Sequence, residues 1–145
     1  MLKGLDPRLG ADVLYALRSM GHGDTVVICD GNFPADHIAR QTGLGDLIAI
    51  ANVSVPDAIE AILSVLPVED AARMEVMGAP DEIPAIQAEV QALLDRHEPS
   101  AGQLRGIERF AFYEEAKNAY CVISTGERRF YGCIILTKGV IAPDA

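Results

Sequence analysis

The sequence predicts an α/β fold in which a central, mostly parallel sheet is covered by helices. Stretches with apolar residues three and four positions apart, which are typical of amphipathic helices, alternate with short and continuously apolar runs. Such runs are typical of strands that are buried on both faces of a sheet. The chain has 145 residues, of which 50% are hydrophobic and 23% are charged. We therefore expect a single domain over residues 1–145.

The first half of the chain supplies helices and strands in alternation. The predicted elements are a helix over 9–20, a strand over 25–29, a short helix over 35–42, a strand over 47–50 and a helix over 56–66. Gly21 stands where a left-handed glycine commonly ends a helix, and Ser54 stands where a hydroxyl can cap the next one.

The second half continues the alternation and ends in two strands. The predicted elements are a strand over 73–77, a helix over 82–97 with Ile83 on its buried face, a strand over 104–108, a helix over 110–118 and strands over 120–124 and 131–136. Only a few residues join the last two strands, so we expect them to form an antiparallel pair in a mixed sheet.

Composition excludes several classes of function. The net charge is -9, with 21 acidic and 12 basic residues, which argues against a nucleic-acid partner. No apolar run is long enough to span a membrane, and the first residues lack the apolar core of a secretory signal, so we expect a cytoplasmic protein. The three cysteines are widely spaced and odd in number, which favours reduced core thiols over disulfides or a zinc site.

Two candidate functional residues flank the first predicted strand. His22 lies between two glycines, where the backbone can bend sharply, and its side chain suits general acid–base chemistry. The alternative is a histidine that only helps to end the preceding helix. Asp30 follows the strand directly, at the position where ligands bind in open α/β sheets. The alternative for Asp30 is an Asx-turn.

Further candidates lie near the end of the chain. Arg109 precedes an aromatic-rich helix start and could clamp a polar ligand, or could pair with a neighbouring glutamate while the aromatic rings pack in the core. Tyr131 could offer its phenol to a ligand, and Gly132 could let the backbone approach it; the alternative is an ordinary hairpin.

Searches for nucleotide and metal motifs find nothing. The chain contains no P-loop, no Gly-x-Gly-x-x-Gly and no Gly-x-Ser-x-Gly, and its three histidines are not at metal-ligand spacing. The sequence therefore gives no indication of a nucleotide-binding loop or a metal site.

Taken together, these stretches resemble the L-fucose mutarotase and D-ribose pyranase family. The matching pieces, in order along the whole chain, are Met1-Leu2-Lys3, Met20-Gly21-His22-Gly23-Asp24, Asp30 with Phe33-Pro34, Arg109-Phe110-Ala111-Phe112-Tyr113-Glu114, Thr125-Gly126-Glu127, Tyr131-Gly132 and Ile134-Ile135-Leu136-x-Lys138-Gly139-Val140. The aromatic segment that begins at Arg109 resembles the fucose branch more than the ribose branch.

The resemblance implies an isomerase that interconverts the α and β anomers of a free sugar without a cofactor. By resemblance, His22 transfers the proton and Asp30, Arg109 and Tyr131 contact the sugar. We expect Gly132 and Cys133 to complete the sugar-binding site. The family assembles into rings, commonly decamers of two stacked pentamers, with sites near subunit contacts. A ribose pyranase is the alternative enzyme, and a monosaccharide-binding protein without turnover is the alternative from another class.

One position departs from the family pattern. The family usually has Asn after Tyr-Gly, whereas this chain has Cys133. A weakly polar thiol therefore replaces an amide that both donates and accepts hydrogen bonds, which leaves the identity of the sugar open.

The spacing of His22 and Asp30 bears on whether one site is shared between two subunits. Eight residues of extended chain span roughly 25 Å, far more than a hexose. Either the loop at His22 folds back along the sheet, or His22 and Asp30 from different subunits meet at one sugar.

Overall fold

The computed structural model describes residues 1–145 and contains five helices and six strands. The helices are α1 (Ala11–Ser19), α2 (Ala35–Ala39), α3 (Val55–Leu63), α4 (Ala85–His97) and α5 (Arg109–Lys117). The strands are β1 (Thr25–Cys29), β2 (Ile48–Ile50), β3 (Val68–Met74), β4 (Arg105–Ile107), β5 (Cys121–Thr125) and β6 (Ile134–Lys138). None of the helices is long and apolar enough to cross a membrane.

All six strands form one sheet in the order β2-β5-β1-β6-β3-β4. β6 is antiparallel to both of its neighbours, β1 and β3, whereas the other pairs of strands are parallel. The predicted class, an α/β fold with a mixed and mostly parallel sheet covered by helices, is confirmed.

The predicted pairing of the last two strands is wrong. β1 lies between β5 and β6 and bonds to both of them, so the last two strands are not neighbours. The chain between Thr125 and Ile134 crosses the end of β1. The strands that it joins, β5 and β6, lie two strand spacings apart, or about 10 Å. β1 takes the central position because its side chains are buried on both faces of the sheet.

Two predicted strands are displaced along the chain. β3 begins at Val68 instead of residue 73, because the polar pair Glu69 and Asp70, beside a register shift in the ladder with β6, interrupts its apolar pattern. β6 begins at Ile134 instead of residue 131, because Tyr131 has a φ of 61° and leaves the extended conformation.

Helix ends differ in detail from the prediction. α4 begins after Pro84, so Ile83 lies outside the helix and is 51% exposed instead of buried. The left-handed glycine after α1 is Gly23, with a φ of 85°, and not Gly21. The cap at Ser54 is confirmed, since its hydroxyl accepts a hydrogen bond of 3.2 Å from the N–H of Asp57.

The sheet separates two hydrophobic cores. Val26 and Ile28 of β1 face the core beneath α1, α3 and α4, whereas Val27 and Cys29 face the core beneath α2 and α5. The helices cover both faces, so the polar loops gather at the two ends of the strands. We call the end at which the five parallel strands finish the carboxyl end of the sheet, and the opposite one the amino end.

Candidate active site

A cavity of about 300 Å³ opens at the carboxyl end of the sheet. It lies where β1 and β3 finish, where β6 begins and where α5 starts. Its lining combines one carboxylate and one guanidinium with aromatic and sulfur-containing side chains. The lining residues are Asp30, Asn32, Phe33, Met74, Arg109, Tyr113, Phe130, Tyr131 and Cys133.

Asp30 is the buried carboxylate of the cavity, with 4% of its surface exposed. Its Oδ1 accepts hydrogen bonds from the N–H groups of Asn32 and Phe33, at 2.9 and 3.2 Å. This is the Asx-turn that the sequence offered as the alternative to function. Because Asp30 also lines the cavity, the same carboxylate closes the turn and is available to a ligand.

The second oxygen of Asp30 contacts the segment before β6. Oδ2 accepts a hydrogen bond of 3.0 Å from the N–H of Gly132 and one of 3.5 Å from the thiol of Cys133. A Cβ at Gly132 would lie 3.0 Å from Ile86 Cδ1 and 3.4 Å from the Cβ of Asp30, so a larger residue here would have to displace its neighbours. Gly132 thus holds Asp30 through its backbone N–H and does not line the cavity.

Cys133 is 3% exposed, and burial raises the pKa of its thiol well above the ordinary value. The thiol therefore stays protonated and acts as a weak donor to Asp30. Its hydrogen bond occupies one of the roughly four positions at which a carboxylate can accept, and it is the weakest of those that Asp30 receives. A ligand hydroxyl can compete for that position more easily than for the three taken by backbone N–H groups.

Arg109 begins α5 and is held by its aromatic neighbours. Its Nε donates a 2.9 Å hydrogen bond to the Tyr113 hydroxyl, and its guanidinium lies 5.5 Å from the ring centres of both Phe110 and Tyr113. Glu108 caps the helix by accepting from the N–H groups of Phe110 and Ala111, and these bonds lower the pKa of Glu108. The predicted ion pair between Arg109 and a neighbouring glutamate is absent.

The aromatic residues of this segment divide between core and surface. Phe112 is fully buried and packs edge-on against Phe33, with 5.9 Å between ring centres. Phe110, which the alternative interpretation placed in the core, is 60% exposed. Phe33 packs against Tyr113 as well, at 5.5 Å, so the ring of Phe33 joins the cavity wall to the core.

Tyr131 closes the cavity from the side of β6. Its backbone is left-handed, and its hydroxyl accepts a 3.1 Å hydrogen bond from the N–H of Met77. The preceding loop is anchored by Glu127, which is 6% exposed and accepts two hydrogen bonds from the side chain of Arg129. This contact lowers the pKa of Glu127. Arg129 also binds Glu89 of α4 through two hydrogen bonds.

His22 lies at the amino end of the sheet, away from the other predicted site residues. The N–H of the next residue, Gly23, donates to the carbonyl of Lys138 at the far end of β6. The imidazole Nε2 is 2.8 Å from Glu69 Oε2, and 59% of the side chain is exposed. The loop does not fold back along the sheet, so His22 and Asp30 of one chain do not meet at one cavity.

The chain matches a known protein family over nearly its whole length. The model of the RbsD / FucU transport protein family matches residues 3–141. The chain belongs to the RbsD/FucU family. The resemblance stated from the sequence is therefore confirmed.

The chain is similar to three proteins of known name or structure. Human fucose mutarotase is 41% identical, covering 97% of this chain and 95% of the human protein. The fucose mutarotase of Streptococcus pneumoniae, solved in complex with L-fucose, is 32% identical with a TM-score of 0.87, covering 97% of this chain and all of that one. Protein Atu2016, whose name carries a provisional sugar-binding assignment, is 60% identical with a TM-score of 0.94, covering 98% and 97%.

Sequence reasoning missed two residues at the carboxyl end of the sheet in this RbsD/FucU protein, one in the cavity wall and one behind it. Met74 was not singled out because the strand that it ends was placed several residues too late. Gln87 was also overlooked, although it lies three and seven residues before Val90 and Leu94 of the buried stripe on α4. A polar residue at core spacing is the signal that could have drawn attention to it. Among the His, Cys, Asp and Glu side chains, no group of three or more is arranged to hold a metal ion.

Proposed function

We propose that this protein is a sugar mutarotase that interconverts the α and β anomers of a free monosaccharide, L-fucose or a close relative, without a cofactor. The observation that carries the proposal is the cavity of about 300 Å³, which brings Asp30, Arg109 and Tyr131 together against an apolar wall. This volume is at the small end of ligand pockets and suits one sugar ring. The names of the similar proteins, fucose mutarotase in human and in Streptococcus pneumoniae, support the same conclusion.

The lining matches the chemistry of a neutral sugar. A carboxylate, a guanidinium and a phenol supply acceptors and donors for hydroxyl groups, while the side chains of Phe33 and Met74 offer an apolar surface to the C–H faces of the ring. Because the ligand carries no charge, the net charge of -9 does not oppose its binding.

The reaction requires proton transfer and no covalent intermediate with the protein. The anomeric hydroxyl loses a proton while the ring oxygen gains one, and the C1–O5 bond breaks to give the open-chain aldehyde. Rotation about C1–C2 and the reverse proton transfers then close the other anomer. We assign proton transfer to His22 and sugar contact to Asp30, Arg109, Tyr131 and Cys133; a positioned acid–base group contributes roughly 10²–10⁴-fold.

In this proposal, His22 acts on a sugar that is bound by the neighbouring copy of the chain. β1 alone is about 17 Å long, and it separates His22 from the cavity of its own chain. A head-to-tail contact that places the amino end of one sheet at the carboxyl end of the next would bring the two together. Repeated contacts of this kind form a ring when the rotation between neighbours closes on itself, and we propose a decamer with its sites at the subunit contacts.

Exposed apolar side chains at both ends of the sheet support such a contact. Around the cavity mouth, Met77, Phe110 and Phe130 are 58%, 60% and 74% exposed. Beyond β6, at the amino end, Val140 and Ile141 are 66% and 71% exposed. Apolar groups clustered on a surface mark sites of protein association.

The proposal includes a cytoplasmic location. The three cysteines, Cys29, Cys121 and Cys133, are free and buried, which suits a compartment that keeps thiols reduced.

Exchange NMR tests the activity. Saturation of one anomeric proton of equilibrated L-fucose is transferred to the other anomer when exchange is fast, and D-ribose and D-galactose serve as parallel substrates. We expect the protein to accelerate exchange on L-fucose, and the His22→Ala variant to lose the acceleration. Binding without acceleration on any sugar would instead identify a monosaccharide-binding protein, and acceleration on D-ribose alone would identify a pyranase.

Subunit complementation tests the shared site. The variants His22→Ala and Arg109→Met are each expected to be inactive, because every site then lacks either the imidazole or the guanidinium. After co-refolding in equal amounts, roughly a quarter of the heterologous contacts combine an intact His22 with an intact Arg109. We expect about that fraction of wild-type activity to return; no recovery in mixed oligomers would refute a site shared between subunits.

A further inference from the structure

Two polar side chains are buried behind the cavity without lining it. Gln87 of α4 is fully buried, and Arg73 of β3 is 7% exposed. Neither has a place in the function proposed above. Buried polar groups are costly unless they are hydrogen-bonded, so the contacts of these two side chains indicate what they do.

The amide of Gln87 joins two segments of the cavity wall. Its Nε2 donates hydrogen bonds to the carbonyl of Met74, at 2.7 Å, and to the carbonyl of Tyr131, at 3.1 Å. Its Oε1 accepts from Arg73, at 3.4 Å, and Arg73 donates in turn to the carbonyl of Pro80, at 2.9 Å. Arg73 therefore fixes the orientation of the amide so that its NH₂ group points toward Met74 and Tyr131.

Tyr131 is the residue in this network whose backbone is strained. It is the one non-glycine residue of the chain with a positive φ, at 61°. A bulky side chain disfavours this conformation, so neighbouring contacts must hold it there. Two contacts do so: Gln87 binds the carbonyl of Tyr131, and the N–H of Met77 binds its hydroxyl.

We propose that Gln87 is a positioning residue of the site, whose buried amide holds Tyr131 in its left-handed conformation and thereby places the phenol across the cavity. The claim that Tyr131 contacts the sugar rests on the proposed function, whereas the claim that Gln87 holds the conformation of Tyr131 does not. Without the donor NH₂ group, the segment before β6 relaxes toward ordinary φ values, and the phenol leaves Met77.

The test compares two variants of Gln87 with a matched control. Gln87→Met keeps the length of the side chain and removes both polar atoms. Gln87→Glu keeps the shape and replaces the donor by an acceptor that faces two carbonyl oxygens. Val90→Ala removes apolar volume from a fully buried position one turn along the same helix. Val90 belongs to the core beneath α1, α3 and α4, whereas Tyr131 packs against the core on the other face of the sheet.

The primary measurement is amide hydrogen exchange at Met77, which reports its hydrogen bond to the Tyr131 hydroxyl. We expect exchange at Met77 to be about tenfold faster in both Gln87 variants than in Val90→Ala, after normalisation to a core amide of β1. Equal exchange at Met77 in all three variants would overturn the proposal. The Gln87→Glu variant serves as the second test if Gln87→Met does not fold.

Sugar binding is the second measurement. In the Gln87 variants we expect the dissociation constant for L-fucose, measured by NMR titration, to rise about tenfold, and in Val90→Ala to stay near the wild-type value. An unchanged dissociation constant together with faster Met77 exchange would overturn the link from Tyr131 to the sugar. If the wild-type protein bound no sugar, the proposed function would fail, and the exchange at Met77 would still decide the role of Gln87.

Discussion

The substitution Asp30→Asn tests whether the buried carboxylate organises the carboxyl end of the sheet. Asp30 accepts three hydrogen bonds from backbone N–H groups, two at Oδ1 and one at Oδ2. An asparagine has only one oxygen. If that oxygen keeps its bonds to Asn32 and Phe33, its NH₂ group faces the N–H of Gly132, and that buried donor loses its partner.

The expected loss in the free energy of unfolding follows from these contacts. Leaving the buried N–H of Gly132 without an acceptor costs about 1–3 kcal/mol. The two bonds that remain at Asp30 change from charge-assisted to neutral and lose roughly half their strength, about 1 kcal/mol together. We therefore expect Asp30→Asn to lower the free energy of unfolding by about 2–4 kcal/mol. For a domain of this size the melting temperature would fall by about 4–15 °C.

Urea unfolding monitored by circular dichroism at one protein concentration measures this change. The control is Asp36→Asn on α2, because Asp36 is exposed and its contact is a surface ion pair with Arg40 at 2.8 Å. The control is expected to change the stability by less than about 0.5 kcal/mol. If Asp30→Asn were as stable as Asp36→Asn, the assignment of Asp30 as the organising acceptor would be wrong.

Three further predictions concern individual side chains. Cys133→Asn is expected to keep or raise anomer exchange on L-fucose, since an amide can donate to Asp30 as the thiol does and also present an oxygen to the cavity; a large loss in exchange NMR would show that the thiol has a role of its own. Burial raises the pKa of Cys121 to about 12 and that of Cys133 well above its ordinary value, so iodoacetamide at pH 8 should label these thiols far more slowly in the native protein than in urea, as measured by mass spectrometry. Equal labelling rates would contradict their burial. The side chain of Arg8 lowers the pKa of Asp6 from 3.8 to about 2, so the contribution of this pair to stability is present above about pH 4 and is lost as the pH falls toward 2. NMR titration should show the low value in the wild-type protein and a return toward 3.8 in Arg8→Gln, and an ordinary value in the wild type would refute the contact.

Local patterns in the sequence were sufficient for the class of the fold and for most of its elements. The strand over 25–29 was predicted with its observed bounds, because its apolar run is short and continuous. The cap at Ser54 depends only on the chain that follows it within one turn. Asp30, Arg109 and Tyr131 were candidates because of their neighbours along the chain, and the structure brings all three to one cavity.

Features that depend on distant parts of the chain were decided by the tertiary structure alone. The ladder places β1 between β5 and β6, so a connection that looked like a hairpin crosses a strand instead. The left-handed backbone of Tyr131 is held by Gln87, which lies 44 residues away in the sequence.

The position of His22 shows most clearly what the sequence determined and what required the tertiary structure. The sequence by itself established that His22 and Asp30 stand at the two ends of one buried strand, because an extended chain has a fixed length per residue. The alternatives that this left open, a loop that folds back or a contact between copies, differ only in where the His22 loop lies. Its bonds to Lys138 and Glu69 hold it at the amino end of the sheet, and those partners come from strands that only folding brings beside it.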